Sequence, residues 1–445
     1  MDSFVMNRSF SMLASRPGVG ISSNLQNGSQ KDRNTGAEVN LPKSGRGWVW
    51  SHRLRAVRLV LPLALISGLV GMTSASEEGA ESTHQSPPVA AVGAAENRDG
   101  VAVLDLGTLT SIDAMVSKFA DRRLIYIGEV HDRYDHHLNQ LAIIRGLHQR
   151  RPQLTIGLEF FQQPYQSYLD QFVAGAIDEA EMLRNTQYFD RWRFDYRLYQ
   201  PILRYARQHR LPLIALNVPA ELSSKVGRQG LESLSEDEKA YIREGVDRLQ
   251  AGYGERLRAV FELHPAMAKR EFETFLEAQL LWDEGMAQRV ADVLREQPQR
   301  YMVVLAGNGH LEGGTGIPNR VQRRLRTTSA IVLNGPHLDL RPGLADFVLL
   351  TPEQVLPKAG VLGVQLAQET KGARVTGFTD PSAAKEAGLR EGDRLLRVDG
   401  KPITGYADVR LALLPYAPGD RVQVGVERER LFLGEETHSF EVILK

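Results

Sequence analysis

The sequence of 445 residues contains no cysteine. Disulfide bonds, thiolate ligands for a metal and a lipid-modified cysteine are therefore all excluded. Stability must come from buried apolar surface, and 42% of the residues are hydrophobic. A chain of this length and composition is long enough to form two or three domains with buried cores.

The chain also lacks a net charge, because 54 basic residues balance 54 acidic ones. Residues 1–75 hold nine Lys and Arg but only three Asp and Glu, so the remainder carries 45 basic and 51 acidic residues. Nucleic-acid binding depends on basic side chains that neutralise phosphates. We therefore expect no nucleic-acid partner.

Long apolar runs are scarce, and the one near the N-terminus is short. Basic residues at 53–58 precede twelve residues of mostly apolar character, Leu59–Val70, and small residues follow at 73–75. This order is typical of a secretory signal peptide, and a membrane span would need roughly 20 apolar residues. We predict a Sec-type signal near residues 53–75 and a periplasmic or secreted protein that is not a lipoprotein. Residues 1–50 are either an unstructured extension or an artefact of start-codon choice.

Composition divides the chain into five segments. Residues 1–75 are the N-terminal extension and signal, and 76–100 are a small, polar, proline-containing linker. Residues 101–350 are a large domain, 351–360 a second linker, and 361–445 a small β-rich domain. The large domain alternates short apolar runs with stretches of helical period, and about eighty residues before the fourth run are helical. This pattern predicts an α/β fold, a mostly parallel sheet with helices on both faces and a helical insertion.

Polar residues follow the predicted strands directly. Glu129 and His131 come after the first strand, Glu159 ends the second, Asn217 ends the third, and His310 follows the fourth. Ligands of open parallel sheets bind outside the carboxyl ends of the strands. The two imidazoles and two carboxylates could ligate a divalent metal through His131 and His310, serve as acid and base, or hold a ferric haem.

Structural roles compete for some polar residues near these strands. Asp132 could be the N-cap of the next helix, and Asn217 could simply turn the chain before Pro219. His136 and His137 lie on the next helix, and we expect both to face solvent.

The order of several motifs resembles the ChaN-like haem-binding uptake proteins of the Tiki superfamily. The motifs are Gly128-Glu129-Val130-His131-Asp132, Gly157-Leu158-Glu159-Phe160-Phe161, Leu216-Asn217-Val218-Pro219, Ala278-Gln279-Leu280-Leu281-Trp282-Asp283 and Gly307-Asn308-Gly309-His310. The resemblance implies an α/β fold, haem as cofactor, and Glu129, His131, Glu159 and His310 as the active site of hydrolytic relatives. Further cofactor-binding residues would be Asp132, Asn217, Gln279 and Asp283. ChaN-type proteins are typically lipoproteins, and this chain departs from them in lacking cysteine.

The C-terminal segment resembles bacterial PDZ domains. Asp380–Ile403 is similar to their helix, turn and strand, and Leu362, Gly363 and Val364 stand where the loop receives a peptide carboxylate. Such a loop binds through backbone N–H groups, and the peptide then adds as a strand. We predict that a protein C-terminus or extended peptide binds here; alternatively, the domain docks only on its own chain.

Three functions remain open at this point. The first is an exported, non-enzymatic haem or iron-porphyrin binding protein for iron uptake or trafficking, whose PDZ domain recruits a partner. Any membrane association of the protein would be peripheral and would depend on that partner. The second is a metal-dependent hydrolase or peptidase of the erythromycin-esterase type in the same cleft. The third is a non-enzymatic assembly or scaffold protein.

Overall fold

A computed structural model describes residues 106–263, 271–335, 338–369, 372–430 and 434–445. The predicted extension, signal peptide and first linker lie outside these residues. No helix within the described ranges is both long and apolar enough to cross a membrane.

A six-stranded, entirely parallel sheet forms the centre of the large domain, with the strand order β3-β2-β4-β1-β5-β6. The strands are β1 (Leu124–Glu129), β2 (Leu154–Gln162), β3 (Leu213–Asn217), β4 (Tyr301–Gly307), β5 (Ser329–Asn334) and β6 (Phe347–Leu349). The predicted α/β class and the first five strands are confirmed. Strand β6 was missed because its three residues give too short an apolar run for a pattern.

Helices cover both faces of this sheet. They are α1 (Ile112–Ser117), α2 (Tyr134–Arg150), α3 (Gln166–Ala174), α4 (Glu179–Asn185), α5 (Tyr188–Arg191), α6 (Tyr196–Gln208), α7 (Ala220–Gln229), α8 (Glu236–Lys239), α9 (Tyr253–Glu262), α10 (Phe272–Glu296) and α11 (Ile317–Arg324). Alternate side chains of β1 enter different cores: Ile125 and Ile127 pack on one face, Leu124 and Tyr126 on the other. Because both faces are buried, the strands are continuously apolar.

The predicted helical insertion lies between β3 and β4, from α7 to α10. Its longest member, α10, has 25 residues, and its buried side chains contribute to the second core. This helix carries Gln279, Trp282 and Asp283 towards the carboxyl edge of the sheet, which is why the insertion matters for the site.

The C-terminal domain is an antiparallel sheet with the order β12-β11-β9-β8-β7, as the PDZ prediction requires. Its elements are β7 (Val364–Glu369), β8 (Gly372–Phe378), α12 (Ala383–Glu386), β9 (Arg394–Val398), β10 (Lys401–Pro402), α13 (Tyr406–Leu413), β11 (Arg421–Arg430) and β12 (Gly434–Ile443). Strand β7 lies at the edge of this sheet, so one side of its backbone can pair with an added strand.

Helix α13 of the small domain packs against α4 and α5 of the large one. Leu411 is buried in the core of the large domain. Arg184 donates from Nε to Asp408 Oδ1 at 3.0 Å, and Arg410 lies 5.8 Å from the centre of the Phe189 ring. The two domains therefore share a contact that is partly apolar and partly ionic.

Candidate functional site

Four of the predicted side chains meet at the carboxyl edge of the parallel sheet. Glu129 ends β1, Glu159 lies in β2, and His310 belongs to the turn after β4. With His131, all are at most 3% exposed. Parallel strands bring them together, because the carboxyl ends of parallel strands lie at the same edge.

Gly307, the last residue of β4, lies between these side chains. A Cβ atom at this position would be 3.1 Å from His131 Cε1 and 3.8 Å from Glu159 Oε2. The Gly307 N–H donates to Glu159 Oε2 at 2.7 Å. Glycine suits this position because a Cβ atom would press tightly against the His131 ring.

Glu129 and His131 form the first imidazole–carboxylate pair. His131 Nδ1 lies 2.8 Å from Glu129 Oε1, and Gln140 donates to the other carboxylate oxygen at 2.7 Å. Burial alone would raise the pKa of Glu129, but the charge of His137 and hydrogen bonds from both histidines hold that pKa well below its usual range. Glu129 is therefore ionised, and His131 Nδ1 must donate.

His137 and Tyr199 complete the surroundings of Glu129. His137 Nδ1 faces Glu129 Oε2 at 3.3 Å, and its Nε2 faces the His131 carbonyl oxygen at 3.1 Å. Burial would lower the pKa of His137, but Glu129 raises it above its ordinary value. Tyr199 donates to Glu129 Oε1 at 3.1 Å and accepts from Trp192 Nε1 at the same distance. Glu129 is thus fixed from several sides.

His310 forms the second imidazole–carboxylate pair, with Asp283 of α10. The two ring nitrogens face two acids: Nδ1 lies 2.6 Å from Asp283 Oδ1 and Nε2 lies 3.4 Å from Glu159 Oε1. Burial opposes a charged ring, yet these carboxylates raise the pKa of His310 to about 10. The ring in turn lowers the pKa of Asp283 and Glu159 against the effect of burial.

Tyr253 extends this second pair into the helical insertion. Its hydroxyl donates to Asp283 Oδ2 at 2.7 Å, and the guanidinium of Arg320 lies 4.4 Å from its ring centre. Tyr253 therefore orients the carboxylate that orients His310.

Together these side chains form one buried cluster. It holds three ionised carboxylates, Glu129, Glu159 and Asp283, which face the charged rings of His137 and His310. Buried charge of this kind stabilises a fold less than apolar residues of the same volume would, and strongly perturbed pKa values are typical of functional sites. His131, bonded through Nδ1, turns its Nε2 edge towards Gly307 and Glu159. A ring held in this way can transfer a proton or bind a ligand at Nε2.

The metal prediction gains no support from this arrangement. Within the described part of the chain, no three or more His, Asp or Glu side chains are grouped so that they could hold one metal ion. His131 and His310 as metal ligands therefore stay a prediction.

A cleft opens beside Glu159. Phe160, Trp192 and Trp282 give it aromatic walls, and partly exposed Arg191 contributes a positive charge. The cleft has about 40 Å³ of space that water-sized groups can occupy, well below the roughly 300–1,000 Å³ of small-molecule sites. This space holds roughly three water molecules. A flat macrocycle could therefore lie only across the open mouth of the cleft.

The remaining predicted cofactor-binding residues have different positions. Asp283 lies in the cluster, Asn217 lines the cleft, and Gln279 is buried with no hydrogen-bond partner for its Nε2 among the described residues. Asp132 is exposed and lies outside the cluster, so its contact with a cofactor stays a prediction. It is also not the N-cap of α2, because Arg133 occupies that position and the helix begins at Tyr134.

The expectation that His136 and His137 face solvent was wrong. Both are at most 2% exposed. His136 Nδ1 accepts from the Val130 N–H at 3.0 Å, and burial lowers its pKa to about 4, so this ring is neutral. Their place on a helix suggested a solvated face, but the first turn of α2 faces the backbone of Val130 and His131.

The predicted peptide loop of the PDZ domain has the required backbone form. Gly363 has φ +72°, a conformation that favours glycine, and a Cβ there would lie 2.8 Å from Ser382 Cα. The N–H groups of Leu362 and Gly363 donate to no acceptor in the described ranges. Two free donors beside edge strand β7 suit a peptide carboxylate.

Two family models match the chain. Residues 115–321 match the family described as haem-binding uptake, Tiki superfamily, ChaN, and residues 360–444 match the PDZ domain. The predicted resemblance to both is confirmed.

Individual relatives are distant. Protein RETICULATA-RELATED 5, a chloroplast protein of Arabidopsis thaliana, is 28% identical over 233 residues, which are 48% of this chain and 31% of the plant protein. The chain thus matches less than a third of that relative's length. The haem-bound ChaN of Campylobacter jejuni is 19% identical, covers 54% of this chain and 91% of its own, and has a TM-score of 0.42. An erythromycin esterase is 13% identical and covers 50% of this chain and 72% of its own, with a TM-score of 0.32.

Proposed function

Because the chain combines a domain of the ChaN-type haem-binding family with a PDZ domain, we propose that it binds haem or a related iron porphyrin in the mouth of the cleft. Every residue of the cleft and of the buried cluster lies within the matched region 115–321, and this observation carries the proposal.

The chemistry of the cleft mouth supports this ligand. Trp192 and Trp282 offer flat apolar surface to a macrocycle. The Arg191 guanidinium bonds the Glu221 carboxylate at 3.0 Å and would exchange this partner for a haem propionate. The macrocycle lies across the open mouth, because the space of about 40 Å³ within the cleft is too small for it.

We further propose that the protein is exported and that its PDZ domain brings it to a partner in haem or iron uptake or trafficking. The N-terminal sequence pattern supports export. The free N–H groups of Leu362 and Gly363 support capture of a C-terminal carboxylate, after which the peptide extends along β7.

Haemin titration tests the haem proposal. We expect the purified full chain to bind haemin with a shifted Soret band that saturates at one equivalent per chain. Elemental analysis of the same sample measures any metal retained. No Soret shift at micromolar protein, with stoichiometric zinc or manganese instead, would contradict the proposal.

The buried cluster favours a second candidate, hydrolysis in the same cleft. A haem ligand in the mouth makes no use of the His131–Glu129 pair, whereas a hydrolase needs such a ring next to an acid like Glu159. In this case, replacing His131 and His310 with Ala should abolish both hydrolysis and retention of any bound metal. Retention of metal by a folded double variant would remove both residues from the site.

A further inference from the structure

One short segment of the large domain faces both the cleft and the PDZ domain. This segment, residues 184–192, runs from the end of α4 through α5. Its side chains that line the cleft are Thr186, Tyr188, Arg191 and Trp192. In contrast, Arg184 donates to Asp408 of α13 at 3.0 Å, and the Phe189 ring centre lies 5.8 Å from the Arg410 guanidinium of the same helix. One wall of the cleft is therefore attached to α13.

Helix α13 also packs beside β7, along which a captured peptide would extend. Gln368 of β7 bridges the two elements: its Oε1 accepts from the Tyr406 N–H at 3.2 Å, and its Nε2 donates to the Thr404 carbonyl oxygen at 3.2 Å. A strand that pairs with β7 lies about 4.8 Å from it. No strand fits between Gln368 and the start of α13 while this bridge is closed, so the bridge occupies space that a peptide along β7 needs.

Thr404 continues this link into the large domain. Its N–H donates to Asp408 Oδ2 at 2.8 Å, and Asp408 Oδ1 accepts from Arg184 Nε at 3.0 Å. Asp408 is 7% exposed, and Leu411 of the same helix is buried in the core of the large domain. Close-packed contacts transmit displacements because they hardly compress. A shift of α13 must therefore be followed by segment 184–192.

We propose that peptide capture by the PDZ domain weakens ligand binding in the cleft. The captured peptide opens the Gln368 bridge and pushes α13 towards α4 and α5. Segment 184–192 lies between α13 and the cleft, so it moves inwards and narrows the cleft mouth. A partner that presents its C-terminus would thereby release the ligand at the place where the partner is. This inference rests on the proposed cleft ligand and the proposed peptide capture, and it adds the coupling between them.

The coupling acts in both directions. A peptide that weakens ligand binding must itself be bound more weakly, by the same factor, when the ligand is present. Couplings between two sites of one protein typically lie between about 5-fold and 150-fold. We expect about fivefold, the lower end, because only one wall of the cleft is attached to α13.

A peptide titration without haem tests the displacement directly. Trp192 Nε1 donates to the Tyr199 hydroxyl at 3.1 Å, so its indole ¹H–¹⁵N signal reports a movement of segment 184–192. Trp282 lines the cleft from α10 and does not belong to the segment. The probe is a peptide that ends in valine residues and is long enough to span β7, and the control is the same peptide with an amidated C-terminus. We expect the free acid to shift the Trp192 signal of the full-length chain more than that of Trp282, and the amide to shift neither.

Haemin titration in the presence of either peptide measures the coupling itself. Saturating free-acid peptide should weaken haemin binding about fivefold relative to the amide. Phe189→Leu removes the ring beside Arg410 and should abolish most of this difference, as should Arg184→Gln at a half-exposed side chain. Phe172→Leu is the matched control, because Phe172 is buried in the same core and lies 4.9 Å from Arg207, but belongs to α3 and does not line the cleft. It should keep the full difference.

Three results would overturn the coupling. They are an unmoved Trp192 signal with bound peptide, equal haemin affinity with the two peptides, and a full difference in both Phe189→Leu and Arg184→Gln. A chain that binds no haemin contradicts the haem proposal alone, and the Trp192 signal then decides the coupling. A peptide that does not bind, as followed by the fluorescence anisotropy of a labelled copy, contradicts the peptide capture and the coupling together.

Discussion

Replacing Asp283 with asparagine should reveal how strongly the cluster depends on the charge of His310. Asp283 Oδ1 lies 2.6 Å from His310 Nδ1, and Oδ2 accepts from the Tyr253 hydroxyl at 2.7 Å. Asparagine keeps the size of the side chain, so the variant removes the charge with little change in packing.

Removing one partner of a buried ion pair destabilises a protein by about 3–5 kcal/mol. We expect about 3 kcal/mol at pH 7, the lower end of that range, because Glu159 still faces His310 Nε2 at 3.4 Å. The pKa of His310 should fall from about 10 towards its ordinary value of 6.5. Since the pKa is raised in the folded state, this ring contributes its full stability below pH 6.5 and loses it as the pH rises towards about 10.

Urea unfolding of the full chain at several pH values between 6.5 and 10 measures both effects. The wild type should lose free energy of unfolding across this range, and Asp283→Asn should lose less. Asp339→Asn is the control, because this carboxylate is 85% exposed and pairs with Arg341 at the surface, so less than about 1 kcal/mol is expected. If Asp283→Asn has the same stability and the same pH dependence as the wild type, His310 and Asp283 do not form a charged pair.

The other predictions concern acid, the peptide loop and the domain contact. The pKa values of Glu129, Glu159 and Asp283 are lowered in the fold, so stability should fall as the pH drops below their usual values near 4, and urea unfolding below pH 5 checks this sign. Gly363→Glu should abolish binding of a fluorescent peptide with an apolar C-terminus, whereas Gly392→Ala, at a positive φ with open space around it, should still bind; equal binding by both would show that the loop is not used. Leu411→Ala should destabilise the domain contact by about 2–5 kcal/mol, and a calorimetric profile equal to that of the wild type would contradict its burial in the large domain.

The sheet and the site residues at its carboxyl edge could be predicted, because local sequence determines both. Continuous apolar runs such as Leu124–Ile127 indicate strands buried on both faces, and residues directly after such strands must lie at the carboxyl edge. Glu129 and Glu159 were found in this way. The resemblance added Asp283, which α10 brings to His310.

The residues that support the cluster could not be predicted, because their roles depend on how helices rotate against the sheet. Tyr199 lies on α6 among many other aromatic residues, and only packing turns its hydroxyl to Glu129. His137 stands in a polar stretch that is typical of a solvent-facing turn, yet it is buried. The size of the cleft depends on side chains from β2, α5, α7 and α10 together, and no sequence period encodes such a dimension.

The central claim is that the cleft beside Glu159 holds a haem-type ligand. Haemin titration of two matched variants, followed by the Soret band, tests this claim most directly. Ala220 lines the cleft, so Ala220→Trp fills it, whereas Ala174→Trp adds the same side chain to an exposed position on α3. We expect Ala220→Trp to weaken haemin binding at least tenfold and Ala174→Trp to bind like the wild type. Equal affinity of all three proteins would place the ligand elsewhere and contradict the account.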